Sequence, residues 1–277
     1  MPAAITAAVC SVVAVMAITA VVTKRSGKAA YVDAAWGASF VAAAWAAAAA
    51  AFVAGSTPSW HGWMLLGLVS VWGSRLTWHL ARRVRSSTHD DPRYETFLGG
   101  PIRSVPFVRV VVKVFALQAL LVVVVALPLV VGVVRPAATS FSVVAGAALW
   151  LLGATFEAVS DAQLAAYRAD PDRPRVLTTG LWAWTRHPNY FGDFCVWWGF
   201  WLIGSAATGL REGVGTVVSP LLMSWILIGV SGVRLAEKRM RGRSGWAAYC
   251  ARTPIFLPWP PPPQTPHPIK GSAPNRK

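Results

Sequence analysis

Long apolar runs separated by short polar connections make up most of the chain. Each run reaches or approaches the roughly 20 residues that a helix needs to cross about 30 Å of hydrocarbon. Seven such runs cover residues 3–22, 30–54, 60–81, 107–134, 141–166, 190–208 and 214–235. This pattern predicts an all-α, multi-pass membrane protein with seven transmembrane helices.

Basic residues alternate between successive connections, and this alternation predicts the orientation of the helices. Lys and Arg concentrate in the connections at 23–29, 82–106 and 167–189 and in the segment after residue 233. The connections at 55–59, 135–140 and 209–213 carry little or no net positive charge. Because basic connections stay in the cytoplasm, we expect the N-terminus outside and the C-terminus in the cytoplasm.

Composition supports the membrane class and limits the partners. The chain is 55% hydrophobic and 13% charged, whereas soluble domains carry roughly 25% charged residues. The formal net charge of +15 does not indicate nucleic acid, because the basic residues lie in short connections between apolar runs. The three cysteines have no metal-like spacing, so no metal site is predicted. No protein partner is predicted either. Membrane lipids and a lipid-soluble small molecule are the expected partners.

The pattern is interpreted as one membrane domain over residues 1–257. Residues 258–277 are Pro-rich and polar, which is typical of an extended, disordered tail. The Ala-, Val- and Arg-rich composition indicates a bacterial source and therefore the plasma membrane.

Ionisable side chains inside apolar runs are costly and usually face a cavity or a partner. Asp33 lies near the start of the second run. Arg75 and His79 stand four residues apart on the third run, so they share a helix face. Glu157 and Asp161 have the same spacing on the fifth run. Two carboxylates on one buried face require donors, which a ligand with amide, hydroxyl and phosphate groups would supply.

Further charged residues lie near the predicted cytoplasmic ends of the later runs. Arg168 continues the face of Asp161, and Asp193 begins the sixth run. Arg234 and Lys238 share a face at the end of the seventh run, where interfacial anchoring alone is an equally good explanation.

The stretch between the fifth and sixth runs reads Gly180-Leu-Trp-Ala-Trp-Thr-Arg-His-Pro-Asn-Tyr-Phe-Gly-Asp193. Its proline predicts a helix start, and the positive dipole end of that helix suits phosphate. Arg175 and Arg186 flank this start, and Trp182, Trp184 and Tyr190 offer flat faces for stacking a ring. We therefore expect an anionic, aromatic cofactor, such as a nucleotide, to enter from the cytoplasm.

This stretch resembles the signature of the sterol C14/Δ7 reductases and of the DUF1295 branch of the steroid 5α-reductase superfamily. Upstream, Glu157-Ala-Val-Ser-Asp-Ala-Gln-Leu-Ala-Ala-Tyr-Arg168 resembles the Ser-Asp-x-x-Leu segment of the steroid 5α-reductases. Downstream, Glu237-Lys-Arg-Met, Trp246-Ala-Ala-Tyr249-Cys250 and Thr253-Pro254 resemble the C-terminal end of these enzymes.

The resemblance implies a seven-span helical fold in which residues 107–257 bind NADPH from the cytoplasm and residues 1–106 hold the substrate. The positions that match NADPH contacts in the family are Asp161, Arg168, Arg175, Asn189, Asp193, Arg234 and Lys238. Arg186, His187 and Tyr190 belong to the same signature, and Glu157 opens the upstream block.

The early runs depart from the steroid 5α-reductases. Those enzymes polarise a 3-keto group with a Glu on an early span and a Tyr on the third span. Here Trp72 takes the position of the Tyr, and Asp33 is the early acid within a span.

The first hypothesis is an NADPH-dependent reductase that transfers hydride to a C=C bond of a steroid, sterol or other lipid. The candidate proton donors are Asp33, Tyr31, His79, Tyr94 and Tyr190. Asp33 is the first choice, because a carboxyl group in a dry cavity can stay protonated.

Two other hypotheses remain open. Isoprenylcysteine methyltransferases share an Arg-His-Pro-x-Tyr-x-Gly element, and in a methyltransferase S-adenosylmethionine would replace NADPH. Pairs of arginines suit a 2′-phosphate better than a sulfonium cation, which favours the reductase. The third hypothesis is a non-catalytic membrane protein that binds lipid.

Overall fold

The computed structural model describes residues 1–261. The Pro-rich tail predicted for residues 258–277 lies outside the described residues from position 262 onward.

The described chain is built from α-helices and contains no strand. The N-terminal part contains α1 (Pro2–Ser26), α2 (Tyr31–Val53), α3 (Trp60–Ser86), α4 (Pro92–Leu98), α5 (Phe107–Val110), α6 (Leu117–Val125) and α7 (Leu127–Val134). The C-terminal part contains α8 (Ser140–Ala169), α9 (Pro188–Trp201), α10 (Leu210–Thr216), α11 (Val218–Trp225), α12 (Val233–Met240) and α13 (Trp246–Arg252). Three π-helical turns continue α5, α9 and α11, at Val111–Ala116, Leu202–Ala206 and Ile226–Val230.

Five helical segments of the described chain are long and apolar enough to cross a membrane. They are Pro2–Ser26, Tyr31–Val53, Phe107–Val125, Ser140–Ala169 and Leu210–Met240. The two other predicted runs also form helices, α3 and α9, which carry more polar residues. The all-helical fold with several helices of membrane-spanning length is thus confirmed, whereas the count of seven spans and the orientation of the termini stay predictions.

Helices α8 and α9 touch backbone to backbone along two glycine pairs. A Cβ atom on Gly153 would lie 2.5 Å from the carbonyl oxygen of Gly192, and one on Gly146 would lie 2.8 Å from that of Gly199. Each helix spaces its two glycines seven residues apart, which is two helical turns. Small residues at such spacing let membrane helices approach closely, because dispersion and not hydrophobicity drives their packing.

A second close crossing joins α2 and α3. A Cβ atom on Gly73 would meet the carbonyl oxygen of Gly37 at 2.7 Å. Next to this crossing, the buried Trp72 packs edge-on against Trp197 of α9, with ring centroids 5.7 Å apart. Phe40 of α2 completes the aromatic core, 4.4 Å from the Trp197 ring. Consequently α2, α3 and α9 share one core in the middle of the molecule.

The segment after α12 folds back over the loop that precedes α9. Tyr249 of α13 donates a hydrogen bond to the carbonyl of Trp182 at 2.6 Å, and Thr185 donates to the carbonyl of Phe256 at 2.9 Å. Val176, Trp246 and Tyr249 form a small hydrophobic cluster separate from the main core. The loop therefore owes its shape to contacts with a segment about 70 residues later in the chain.

The glycine contact predicts an unequal response to equal substitutions. Gly153→Ala should destabilise the protein by about 1–3 kcal/mol, because the new methyl group meets fixed backbone atoms of α9. Gly67→Ala on α3 is the matched control, since a Cβ atom there meets nothing within 4 Å. Thermal unfolding of both variants in the same detergent measures the difference. Equal melting temperatures for the two variants would contradict the close α8–α9 packing.

Candidate functional site

A cluster of charged side chains lies where α3, α8 and α9 meet. Arg75 of α3 forms an ion pair with Glu157 of α8 and donates a hydrogen bond to Asp161 at 3.2 Å. The indole N–H of Trp72 donates to the other carboxylate oxygen of Glu157 at 2.7 Å. The spacing of four residues on each helix, noted in the sequence, places the cation opposite both acids.

Side chains from the start of α9 and from the end of α3 extend this cluster. The side-chain amide of Asn189 lies 3.5 Å from Asp161 Oδ1, and Nε2 of His79 lies 3.9 Å from Oδ2. Asp193 is within electrostatic reach of Glu157, Asp161 and Arg75. Its Oδ1 atom is buried and has no hydrogen-bond partner among the described residues. We call Arg75, Glu157, Asp161, Asn189 and Asp193 the acid cluster.

The acid cluster contains three carboxylates and one guanidinium group. Glu157 is only 3% exposed and Asp161 only 8%, so bulk water screens these charges poorly. Removing Arg75 alone would leave buried acids unpaired, at a cost of about 3–5 kcal/mol. With Arg75 present, the cluster still holds three carboxyl groups against one cation. It therefore suits a ligand that brings N–H donors or a positive charge.

Asp33 lies in a second polar cluster with Arg93 and Tyr94. Arg93 of α4 pairs with its Oδ2 atom at 2.8 Å, and the hydroxyl of Tyr94 donates to its Oδ1 atom at 2.5 Å. Asp91 caps α4 by accepting from the backbone N–H of Arg93 at 2.9 Å. Because Asp33 accepts from two donors, the proton available in this pair is the hydroxyl proton of Tyr94.

The environment of Tyr94 keeps its hydroxyl protonated. Burial raises the pKa of Tyr94 well above its ordinary value, and the neighbouring Asp33 raises it further. The side chain is 8% exposed, and it lies in the connection between α3 and α5, outside the apolar runs. Such a hydroxyl can hold a proton until a stronger base forms beside it.

Tyr190 lies between the two clusters. Its ring stacks on that of His187, with centroids 5.8 Å apart and planes inclined by 25°. Asp33 and Arg93 of one cluster and Asp161 of the other are within electrostatic reach of its hydroxyl. The helix start at Pro188 thus places one aromatic residue at the junction of both polar groups.

His187 and Arg186 converge on Glu237 of α12. Nε2 of His187 lies 2.9 Å from Glu237 Oε1, and Arg186 lies 3.4 Å from Oε2. The backbone N–H of Arg186 also donates to the carbonyl of Pro254 at 2.9 Å, and its guanidinium lies over the ring of Trp246 at 5.7 Å. These two signature residues therefore join α12 and the C-terminal segment to the start of α9.

The remaining predicted cofactor residues are more dispersed. Arg168 is exposed at the end of α8, within electrostatic reach of Arg83 and Asp161. Arg234 and Lys238 are exposed on α12. Arg175 lines a separate cleft with residues that follow α12. The structure thus gathers Glu157, Asp161, Asn189 and Asp193 in one place, and it leaves these four basic residues at the periphery.

Three residues of these clusters were not assigned a role from the sequence. Trp72 was noted as a departure from a family pattern, yet it holds Glu157 through its indole N–H. Arg93 and Glu237 occupy basic or mixed connections, where charged residues are common. The one available signal was the Asp91-Pro92 pair before Arg93, which is typical of a helix start.

Comparison with known proteins confirms the DUF1295 part of the resemblance. The family model described as "Protein of unknown function (DUF1295)" matches residues 19–253. The chain belongs to the DUF1295 family. No curated protein and no solved structure gives a match. The DUF1295 match runs from within α1 to the end of α13 and so includes both polar clusters and the His187–Glu237 pair.

The buried His187 predicts a pH dependence of stability. Burial lowers the pKa of His187 below its ordinary value, against the opposing effect of Glu237. Below about pH 6.5 the unfolded chain therefore binds a proton that the folded chain does not. Folding stability should fall as the pH drops, by up to about 1.4 kcal/mol per pH unit, until the folded histidine is also protonated.

The measurement is thermal unfolding of the detergent-solubilised protein between about pH 8 and about pH 5. His187→Gln should show a smaller loss of stability at low pH than the wild type. His89→Gln, in an exposed loop position, should keep the wild-type profile. If the unfolding temperature of the His187 variant fell with pH as steeply as that of the wild type, another group would be the cause of the acid sensitivity.

Proposed function

We propose that this DUF1295 protein is an NADPH-dependent membrane reductase that transfers hydride to a C=C bond of a steroid, sterol or other lipid. The proposal includes the seven-span arrangement, with the N-terminus outside, the C-terminus in the cytoplasm and the protein in a bacterial plasma membrane. Asp33, Tyr94 and Tyr190 would lie on the substrate side, and the acid cluster on the cofactor side.

The observation that carries the proposal is the surplus of buried acceptors in the acid cluster. Asp193 Oδ1 is buried and makes no hydrogen bond among the described residues, and Asp193 is within electrostatic reach of Glu157 and Asp161. The indole N–H of Trp197, which is also buried without a partner in the described chain, is the nearest protein donor to Asp193. A carboxamide group has two N–H donors. The carboxamide of a nicotinamide could therefore donate hydrogen bonds to carboxyl oxygens of the acid cluster that lack a donor. The same carboxylates create a negative potential, which stabilises positive charge that develops on a bound ring.

Two basic residues near the acid cluster, Arg83 and Arg168, support a cofactor that carries phosphate groups, such as a dinucleotide. Arg168 is within electrostatic reach of Arg83 and Asp161, and Arg83 is within electrostatic reach of Tyr190. Guanidinium groups suit the phosphates of a dinucleotide. The sequence favoured an orientation signal for Arg83, so its role toward phosphate belongs to this proposal.

When bound, NADPH supplies the hydride of the reduction. The protein's own residues then have to orient the lipid, exclude water and deliver one proton. Tyr94 suits the last task, because its protonated hydroxyl is held in place by the hydrogen bond that it donates to Asp33 at 2.5 Å. Arg93 holds Asp33 in place through its ion pair. The proposal thus names Tyr94 as proton donor and Asp33 as the residue that positions it, whereas the sequence alone favoured Asp33 as donor.

One observation keeps a methyltransferase as the second candidate. Three carboxylates against one guanidinium would also stabilise the sulfonium cation of S-adenosylmethionine. Arg83 and Arg168 favour the dinucleotide, because S-adenosylmethionine has no phosphate group for them to bind. Direct measurement of cofactor binding separates the two candidates.

Isothermal titration of the purified protein with NADPH, NADH and S-adenosylmethionine tests the cofactor. We expect NADPH to bind most tightly, and Asp161→Asn to weaken its binding by about tenfold or more, because a charged acceptor of a hydrogen bond is lost. Asp172→Asn, in an exposed loop, is the matched control.

Incubation with NADPH and a lipid extract should yield products heavier by two hydrogens. Preferential binding of S-adenosylmethionine would overturn the reductase.

The proton donor is tested by separating turnover from cofactor affinity. Tyr94→Phe should lower kcat by about 10²–10⁴-fold, the usual contribution of a general acid, and leave NADPH affinity unchanged. Asp33→Asn should also lower kcat, because the hydroxyl loses the acceptor that positions it. Tyr31→Phe removes another candidate hydroxyl and should retain turnover. Unchanged kcat in the Tyr94 variant would exclude it as the donor.

A further inference from the structure

An open cleft of about 610 Å³ lies on the surface between the connection that follows α8 and the connection that follows α12. Its lining includes Arg173 and Arg175 from the first connection and Arg243 and Ser244 from the second. Tyr167, near the end of α8, forms another wall. The lining residues include three arginines and no acidic residue. The cleft thus concentrates positive charge in a concave polar surface.

The arginines of this cleft are available to a ligand. Arg173, Arg175 and Arg243 take part in none of the ion pairs among the described residues. The carboxylate of Asp170 accepts from the backbone N–H of Asp172 at 2.8 Å. This hydrogen bond stabilises the local chain turn, and within the described chain Asp170 forms no ion pair with the arginines of the cleft. Positive charges gathered without acidic partners repel one another, and an anion in the cleft would relieve that repulsion.

The walls of the cleft are held in place by contacts of their own. Arg173 donates to the backbone carbonyls of Arg168 at 3.2 Å and Asp170 at 3.0 Å, which ties it to the end of α8. Arg243 lies in a turn between Gly242 and Gly245, both in the left-handed region with φ of 84° and 82°. The small cluster of Val176, Trp246 and Tyr249 joins the first connection to α13. The three arginines are exposed, and the backbone that carries them is held by these contacts.

We propose that this cleft binds a phosphate group, presented by an anionic lipid headgroup or by a soluble phosphate compound. Guanidinium groups form paired, charge-assisted hydrogen bonds with phosphate oxygens. The volume falls within the range of about 300–1,000 Å³ that small-molecule sites occupy. The site is distinct from the acid cluster, because its liners come from the two connections and not from α3 or α9.

The position of the cleft fits both sources of phosphate. Helix α8 has 30 residues and is therefore about 45 Å long, some 15 Å more than the hydrocarbon thickness. Its last turns, which carry Tyr167, extend to the level of lipid headgroups or beyond. Lipid phosphates lie at this level, and soluble phosphates reach it from the water.

The experiment uses the full chain in nanodiscs of phosphatidylcholine, with Arg243→Gln as the test variant. Arg241→Gln is the matched control, because it removes the same charge two residues away from a side chain that does not line the cleft. Inorganic phosphate, titrated calorimetrically, probes a soluble source. Replacement of part of the phosphatidylcholine by phosphatidylglycerol, followed through the thermal unfolding temperature, probes a lipid source.

We expect one probe to act on the wild type and on Arg241→Gln alike, and to act about tenfold more weakly on Arg243→Gln. The probe that shows this selectivity identifies the source of the phosphate. Equal weakening in both variants would mean unspecific attraction to a basic surface and would overturn the proposal. No response of the wild type to either probe, or no effect of Arg243→Gln, would overturn it as well. None of these outcomes depends on hydride transfer or on NADPH binding.

Discussion

The backbone contact between α8 and α9 is the constraint on which the polar interior depends. Gly146 and Gly153 face Gly199 and Gly192 so closely that no side chain fits between the helices. A Cβ atom on Gly192 would also meet the backbone N–H of Glu157 at 2.6 Å. The acidic residues that neighbour these glycines, Glu157 and Asp193, are therefore forced together inside the protein. A bulkier interface would separate them and admit lipid or water.

Buried carboxyl groups that lie close together need hydrogen-bond donors or positive charge, and α3 supplies these only in part. Arg75 supplies one positive charge, and Trp72 supplies one neutral donor. Oδ1 of Asp193 makes no hydrogen bond among the described residues. Buried polar atoms without partners are rare in folded proteins, and each one calls for an explanation, such as a catalytic role or a bound group. The same imbalance that costs stability thus provides the best evidence for function.

The two sides of Tyr190 differ in their chemistry. The acceptors of α8 suit an amide or a cation, whereas between α4 and α2 the hydroxyl of Tyr94 donates to Asp33. A membrane reductase needs both, since hydride and proton arrive from different partners. Outside the membrane runs, the C-terminal segment closes over the loop before α9, and it also forms one wall of the arginine cleft.

The apolar runs and the helical class follow from local sequence, and helix periodicity places Arg75 with His79, and Glu157 with Asp161, on one face each. The ion pairs of Arg75 with Glu157 and Asp161 join two helices that are distant in sequence, so only the structure revealed them. The glycines spaced by seven on α8 and α9 could have revealed their contact. The Asp33–Tyr94 and His187–Glu237 pairs could not be read in this way, because they join residues 61 and 50 positions apart. Arg175 stands close to the signature in sequence, yet the fold of its connection turns it into another cleft. Which polar side chains meet is decided by how close the helices pack and how the connections return, and only the tertiary structure contains that information.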